Sequence, residues 1–302
     1  MQHSIPVESW QDWPASADAS KYADAGKMQG LGENLLAEIF DGKTTGGEDY
    51  DIDIGPERWE VKESTGRSVA IRAGASGRSA WQECFYQIVG ALTQIEMFVR
   101  MHRQCANRAW GSSQFHADVA RLEALDRELR DYVIRGEISR PRVKRLGDLF
   151  SLAAELRHQL STAARVDLEP GCLSVTLTLS GVEHTLTDEA ASRVLGTVSL
   201  AALEAGDASV DPRPGLASIL SSPLFASADA FAALLESKLS PEAVFGHVDG
   251  MFVVNRGGYF AIPAEKMRDY LGFTRLSQCT PRYEFLGEFR KMPRSKRQRR
   301  KP

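Results

Sequence analysis

The stretch Tyr50–Glu63, YDIDIGPERWEVKE, contains two short segments in which apolar and polar residues alternate. Alternation with a period of two is typical of β-strands that have one buried face and one polar face. Gly55 and Pro56 separate the two segments and have the backbone preferences of turn residues. The stretch therefore predicts a β-hairpin with a four-residue loop at positions 55–58.

This loop length fixes which side chains face each other across the hairpin. It predicts that Asp53 lies opposite Glu60 and that Asp51 lies opposite Lys62. Three carboxylates and one ammonium group would then share the polar face, which is unfavourable without a cation. Mg²⁺ prefers carboxylate oxygens together with water molecules. The opposite face would contain the apolar side chains of the hairpin, Ile52, Ile54, Trp59 and Val61.

Phosphodiester hydrolysis uses this combination of groups. Asp51, Asp53 and Glu60 are the candidate metal ligands, and a metal held by carboxylates can polarise a phosphoryl oxygen and acidify a bound water. Lys62 is the candidate for positioning the attacking water, because lysine carries a compact charge whose pKa responds to its surroundings. The hairpin therefore predicts a metal-dependent catalytic site.

The hairpin also resembles the D-x(n)-(D/E)-x-K signature of the PD-(D/E)xK nuclease superfamily, which includes restriction endonucleases, Holliday-junction resolvases and RecB-like exonucleases. The resemblance implies that Glu60 and Lys62 form the E-x-K pair. The preceding metal-binding aspartate would be Asp51 or Asp53, and the sequence does not choose between them. Tyr50 stands where many members have proline.

Other parts of the chain extend this resemblance. Glu33 precedes the hairpin on a predicted helix, where many members have a further acidic group. Gln82 and Tyr86 give a Q-x-x-x-Y pattern on the next helix, which is similar to the RecB-like motif. HVDGMFVVNRGGYFAIPAEKM resembles the late core strands, and its continuous apolar run is typical of a strand that is buried on both faces.

The resemblance implies an α/β fold with a restriction-endonuclease-like core, in which helices flank a central mixed β-sheet, and a mostly helical insertion. The expected segments are an irregular leader at 1–20, the first part of the core at 21–105, the helical insertion or recognition region at 106–242, the last core strands at 243–289 and a basic disordered tail at 290–302.

Each of these features also has a simpler interpretation. The polar hairpin face can be a solvated sheet surface with a salt bridge between Asp51 and Lys62. Glu33 can be a first-turn acid that the helix dipole favours. Gln82 and Tyr86 can be an ordinary pair on a helix surface. These interpretations stay open at the level of sequence.

The charge of the chain is unevenly distributed. The net charge is −3, yet the C-terminal residues include no acid and many bases. Such a block of like charge is typical of a disordered arm that contacts a phosphate backbone, or of a solubilising tail. The candidate DNA-binding residues of this tail are Arg294, Lys296, Arg297, Arg299, Arg300 and Lys301.

The rest of the composition argues against several classes of protein. The four cysteines are far apart, without a CxxC pair, as in reduced cytosolic proteins. No apolar run approaches the ~18 residues of a membrane span. The N-terminus lacks the charged and apolar regions of a secretory signal. We therefore expect a cytoplasmic protein without a membrane partner.

The sequence predicts a DNA endonuclease that depends on Mg²⁺, for which Mn²⁺ can substitute. A sequence-specific enzyme of the restriction or homing type is favoured because the insertion is large enough for recognition. The alternatives are a RecB-like recombination or repair exonuclease, a catalytically silent DNA-binding module on the same fold, and an unrelated interaction protein whose helical middle binds a partner. Many members of the superfamily act as homodimers.

Overall fold

A computed structural model describes residues 5–16, 30–45, 50–63, 70–106, 110–166, 174–179, 181–255 and 257–287. The chain forms two compact units. The first comprises Met1–Trp81 and Ser237–Pro302, and the second comprises Gln82–Glu236. The sequence-based limits of the helical insertion were 106 and 242. The second unit begins within the long helix Gly74–Cys105, so this helix contributes residues to both units.

The first unit contains a mixed six-stranded sheet. Two neighbouring strands, Glu57–Glu63 and Gly250–Asn255, pair in parallel, whereas the other neighbouring strands are antiparallel. This confirms the α/β class with a mixed sheet flanked by helices, and both predicted hairpins are present. In sheet order the strands are β1 (Trp10–Asp12), β9 (Gly258–Pro263), β8 (Gly250–Asn255), β4 (Glu57–Glu63), β3 (Ile52–Ile54) and β2 (Lys43–Thr44).

The late hairpin β8–β9 is buried on both faces of the sheet, as its apolar sequence predicts. On one face, Phe252 packs with Leu36 and Phe40 of helix α1 (Leu31–Phe40). On the other face, Val253 packs with Phe245 and other apolar residues of the C-terminal part of the chain. The two hydrophobic clusters meet at these central strands, which therefore form the core of the unit.

The register of the first hairpin differs from the prediction. Ile52 pairs with Trp59 and Asp53 pairs with Arg58, so the loop has two residues rather than four. Gly55 has a φ of +60°, and proline at position 56 fixes a φ of about −65°. This combination is typical of a type II′ turn, whose twist matches that of antiparallel strands. The predicted pairings of Asp51 with Lys62 and of Asp53 with Glu60 are therefore wrong.

The segment that the sequence predicts to be an irregular leader contains a strand. β1 pairs with β9 at the edge of the sheet. Trp13 follows it, stacks against Tyr259 with ring centroids 5.4 Å apart, and donates its indole N–H to the Asn255 carbonyl oxygen at 2.9 Å. These contacts attach the segment to the sheet although its sequence has no alternating pattern.

A second, three-stranded sheet completes the first unit. Its central strand is β11 (Thr280–Phe285), which pairs with β10 (Leu271–Ser277) and with β5 (Ala70–Arg72). β5 follows the first hairpin in the sequence, but its partner β11 comes from the C-terminal part of the chain. The short helical elements of this unit are α8 (Pro241–Phe245), the 3₁₀ turn Ala264–Lys266 and α9 (Met267–Tyr270).

The second unit is mostly helical. Gly136, with a φ of +64°, lies at the break between two long helices, Ser113–Ile134 and Arg140–Val166. None of the helices in the described ranges combines the length and the apolar character needed to cross a membrane. The elements that contribute to this unit are α2 (Gly74–Cys105), α3 (Ser113–Ile134), α4 (Arg140–Val166), β6 (Ser174–Leu179), β7 (Val182–Thr187), α5 (Asp188–Glu204), α6 (Pro212–Ile219), the 3₁₀ turn Pro223–Phe225 and α7 (Ala230–Leu239).

Candidate active site

The candidate site lies where β3 separates from β4. Asp51 immediately precedes β3, and its backbone N–H donates to the Trp59 carbonyl oxygen at 3.1 Å. One step further, the backbone N–H of Val61 donates to Asp51 Oδ2 at 2.7 Å. The Asp51 carboxylate thus accepts a hydrogen bond from β4 that a backbone carbonyl would accept if the two strands continued to pair. The divergence of the two strands fixes the position of Asp51.

Glu60 and Lys62 project from the same face of β4, two residues apart. The Lys62 ammonium group donates to Glu60 Oε1. The side chains of Lys62 and Glu60 are only 22% and 12% exposed, because β8 runs alongside and places Met251 and Val253 next to them. This burial raises the pKa of Glu60; the charge of Lys62 lowers it and that of Asp51 raises it.

Glu33 joins this group from the first turn of α1. Burial and then the negative charge of Asp51 raise the pKa of Glu33 to about 7, although a hydrogen bond from the Gly30 backbone and the charge of Lys62 oppose the shift. Glu60 adds a smaller upward contribution. Three carboxyl groups from three different elements therefore interact with one another and with a single lysine.

The close approach of α1 to the sheet positions Glu33. A Cβ atom at Gly32 would lie 2.6 Å from Cγ2 of Val254, which is shorter than a real contact. Only glycine therefore allows the first turn of α1 to pack this tightly on β8. A larger residue at this position would displace the adjacent Glu33 from the other carboxylates.

Asp53 occupies a different environment from Asp51. Its partners on the neighbouring strands are Arg58 and Lys43, and it is not among the largest electrostatic influences on Glu33 or Glu60. The sequence left the choice between the two aspartates open. The observed register brings Asp51, rather than Asp53, together with the other candidate residues.

The other predicted site residues belong to two different parts of the chain. Gln82 donates to the Tyr86 hydroxyl at 3.2 Å, and the Tyr86 side chain is 64% exposed. The two residues are one turn apart on α2, in the second unit. The basic residues of the predicted C-terminal arm, Arg294, Lys296, Arg297, Arg299, Arg300 and Lys301, lie outside the described residues.

His247 is a neighbour of the site that the sequence analysis did not single out. It lies close enough that its charge lowers the pKa of Glu60. It precedes β8 in the loop that also contains Asp249, whose carboxylate accepts a hydrogen bond from the Arg58 backbone at 2.8 Å. The sequence contains one signal for this residue, the polar segment HVDG directly before an apolar strand. That strand is β8, which lies beside β4 in the sheet, so the segment before it is near the site.

The donor set agrees chemically with a hard divalent cation. Within the described ranges, no three His, Cys, Asp or Glu side chains form a preassembled metal-binding group. Asp51, Glu60 and Glu33 nevertheless offer carboxylate oxygens, which Mg²⁺ prefers. Burial and mutual repulsion raise the pKa values of Glu33 and Glu60, and a divalent cation would relieve that repulsion. Glu60 would exchange its contact with Lys62 for the ion.

The arrangement can perform metal-assisted hydrolysis in principle. It combines carboxylates that can hold a cation with an ammonium group that becomes available when Glu60 turns to that cation. No family model, curated protein or solved structure matches this chain.

Proposed function

We propose that this chain is a Mg²⁺-dependent DNA endonuclease of the PD-(D/E)xK superfamily, with a restriction-endonuclease-like core, and that Mn²⁺ can substitute for Mg²⁺. The observation that carries the proposal is the convergence of Glu33, Asp51, Glu60 and Lys62 at the point where β3 and β4 diverge. An ordinary solvated sheet face would not bring a helical acid into this group.

The residues have distinct roles in this proposal. Asp51 and Glu60 hold the cation, and Glu33 supports them. The bound cation supplies charge stabilisation at the scissile phosphate and a more acidic water. Lys62, released from Glu60, donates a hydrogen bond that positions the attacking water, and its ammonium group stabilises negative charge that develops on the phosphate.

The order of elements supports a restriction-endonuclease-like core. A helix with an acid, an aspartate hairpin with E-x-K, a further helix and a late buried hairpin follow one another, and β8 lies parallel to β4. The second unit, Gln82–Glu236, is large enough to recognise a target, which favours a sequence-specific enzyme of the restriction or homing type. A homodimer that cuts both strands, a cytoplasmic location and an affinity contribution from the basic tail belong to the same proposal.

Cleavage of circular and linear duplex DNA tests this function. We expect cleavage with Mg²⁺ or Mn²⁺ and none with EDTA. Glu60→Ala and Lys62→Ala should each lower the rate on the order of 100-fold or more. Glu63→Ala is the matched control, because Glu63 follows on the same strand but is exposed. A folded parent without cleavage, or variants that cut as fast as the parent, would contradict the proposal.

Two alternatives keep specific support. The Gln82–Tyr86 pair matches the RecB-like pattern and favours an exonuclease, which would degrade linear DNA and leave circular DNA intact. The contact between Lys62 and Glu60, and the lack of a preassembled metal group among the described residues, favour a silent DNA-binding module. Such a module would bind DNA stoichiometrically and without metal, and it would not cleave.

A further inference from the structure

One face of the three-stranded sheet has a row of arginines, one from each strand. On the central strand β11, Arg282 pairs directly with Arg275 of β10 and with Arg72 of β5. Directly paired residues of neighbouring strands project from the same face of a sheet. We call Arg72, Arg282 and Arg275 the arginine row.

The arginine row faces away from the hydrophobic core. The adjacent positions Ile71 and Tyr283 project from the opposite face and are fully buried. Arg72 and Arg275 are exposed, whereas Arg282 between them is partly buried. The Nε atom of Arg282 is inaccessible and has no hydrogen-bond partner. A buried donor without a partner is unfavourable, so this atom does not stabilise the arginine row in the free protein.

Among the described residues, the charges that act on Arg282 come from the other two arginines of the row. Burial, and then the positive charges of Arg72 and Arg275, lower the pKa of Arg282. Glu284 lies two residues further along the same face of β11, but it is not among the charges that act on Arg282. Among the described residues, the charges that act on Arg282 at the centre of the row are therefore all positive.

Such a row reduces stability unless an anion is present. Like charges at directly opposite positions on neighbouring strands repel each other, and arginine cannot lose its proton to relieve the repulsion. The guanidinium group is well suited to phosphate, because its N–H donors match two phosphate oxygens at once. The chemistry of the row thus points to phosphate groups as its ligand.

The shape of the row distinguishes a polymer from a single anion. Neighbouring strands lie about 4.8 Å apart, so the outer arginines are separated by roughly 10 Å of sheet. One strand of duplex DNA presents a phosphate about every 3.4 Å along its axis, so about three phosphates cover this length. The arginines at both ends of the row, Arg72 and Arg275, are exposed, which favours an extended ligand.

We propose that the arginine row, Arg72, Arg282 and Arg275, binds the backbone phosphates of duplex DNA. This proposal rests on the proposed nuclease function, because it assigns the same substrate to a second surface of the first unit. The row would position the duplex without reading its sequence, since phosphate contacts contain no base information.

The salt dependence of DNA binding tests the proposal directly. The full chain is titrated against a fluorescent duplex in EDTA at several salt concentrations, and the parent is compared with the double variant Arg72→Ala/Arg275→Ala. Each lost phosphate contact lowers the slope of log affinity against log salt by about 0.9. We therefore expect the slope to fall by about 1.8 and the affinity at low salt to fall about tenfold or more.

Arg268→Ala is the matched control. Arg268 is an exposed arginine of the same unit, but Glu242 already pairs with it at 3.0 Å, so its removal should leave the slope unchanged. The double variant should melt at a temperature no lower than the parent, because both residues are exposed and their removal relieves repulsion. A reduced slope in a fully folded variant thus reports a lost contact with DNA.

Crosslinking gives an independent position for the DNA. Cys279 is an exposed thiol in the turn between β10 and β11, three residues before Arg282, whereas Cys84 and Cys105 are buried. A photoreactive maleimide on Cys279, in a Cys172→Ser background, should crosslink to the duplex in the parent. The crosslink should be strongly reduced when Arg72 and Arg275 are replaced by alanine.

The outcomes separate this proposal from the proposed function. Equal slopes for parent and double variant, or no binding by the parent even at low salt, would overturn the arginine row as a DNA-binding surface. Cleavage by the parent with equal slopes would overturn the row alone. A reduced slope in the double variant, together with no cleavage by the parent under any metal condition, would support the row and refute the nuclease function.

Discussion

The first unit contains two clusters of like charge that relieve their repulsion in different ways. The acidic cluster of Glu33, Asp51 and Glu60 is partly buried beside one lysine, and the pKa of Glu33 is raised to about 7. The arginine row has two of its three side chains exposed. A carboxyl group can take up a proton near neutral pH, but a guanidinium group cannot release one. Proton uptake allows the acids to be partly buried, whereas the charged arginines of the row are stabilised by exposure to solvent.

The difference shows which partner each cluster requires. A divalent cation would stabilise the acidic cluster, and multivalent anions would stabilise the arginine row. A metal-bound phosphodiester backbone supplies both at once. Neither cluster contributes to stability by itself, because each costs repulsion in the free protein. The comparison therefore favours one substrate that contacts both clusters.

The largest expected effect concerns the two aspartates of the first hairpin. Asp51→Asn should lower the cleavage rate on the order of 100-fold, because it removes a charged ligand while the amide oxygen can still accept from Val61. Asp53→Asn should leave the rate nearly unchanged, since Asp53 pairs with Arg58 and Lys43 instead. Single-turnover cleavage measures both rates. Similar losses in the two variants would contradict the assignment of Asp51.

Much of the candidate site could be predicted from the sequence because its signals are local. The alternation in Tyr50–Glu63 predicts the hairpin, and the helical stripe before it predicts α1 with Glu33 near its start. The choice of aspartate could not be predicted, because it depends on the register. The register depends in turn on whether Gly55 and Pro56 form the whole loop or only half of it.

The arginine row could not be predicted because its members are distant in the sequence. Arg72 follows the first hairpin, whereas Arg275 and Arg282 are near the C-terminal end of the chain. The patterns GFTRLS and TPRYEF alternate only weakly, and a bulge between Phe273 and Arg275 shifts their register. Only the pairing of β5 with β11 brings the three charges into line.

The second prediction, of intermediate size, is that a different ion stabilises each of the two clusters. Mg²⁺ should raise the melting temperature of the parent by a few degrees, and this gain should disappear in Glu60→Gln. Sulfate should raise it as well, and part of this gain should disappear in Arg72→Ala/Arg275→Ala. Each variant should keep its response to the other ion. Thermal unfolding measures all four combinations.

The control for the sulfate arm is Arg268→Ala, because sulfate also stabilises proteins generally by exclusion from their surfaces. That general gain should be equal in Arg268→Ala and in the parent. If the double arginine variant gained as much from sulfate as this control, the arginine row would not be an anion site. If Glu60→Gln still responded fully to Mg²⁺, the cation would bind elsewhere.

The smallest expected effect is a pH dependence of stability at Glu33. The folded pKa of Glu33, about 7, exceeds the usual pKa of 4.5 for a glutamic acid, so the folded state binds more protons between these two pH values. The contribution of Glu33 to the free energy of unfolding therefore falls as pH rises from about 4.5 to about 7. Glu33→Gln lacks this titrating group. The free energy of unfolding of the variant relative to that of the parent should therefore rise as pH increases from about 4.5 to about 7 and should stay constant at higher pH.

Urea unfolding in the absence of divalent cations, at several pH values between 5 and 8, measures this difference. Glu38→Gln is the control, because Glu38 is exposed on the same helix; its effect should be nearly independent of pH. A difference between Glu33→Gln and the parent that stays constant over the whole range would show that Glu33 does not share the repulsion of the acidic cluster.

The parallel pairing of β4 with β8 has a consequence for biosynthesis. The whole second unit, Gln82–Glu236, is translated between the two strands, which takes on the order of 10–30 s at roughly 5–20 residues per second. During this interval one edge of β4 has no partner, and unpaired edges promote aggregation. We therefore expect nascent chains that stall before Gly250 to need chaperones, and fragments that end there to be insoluble.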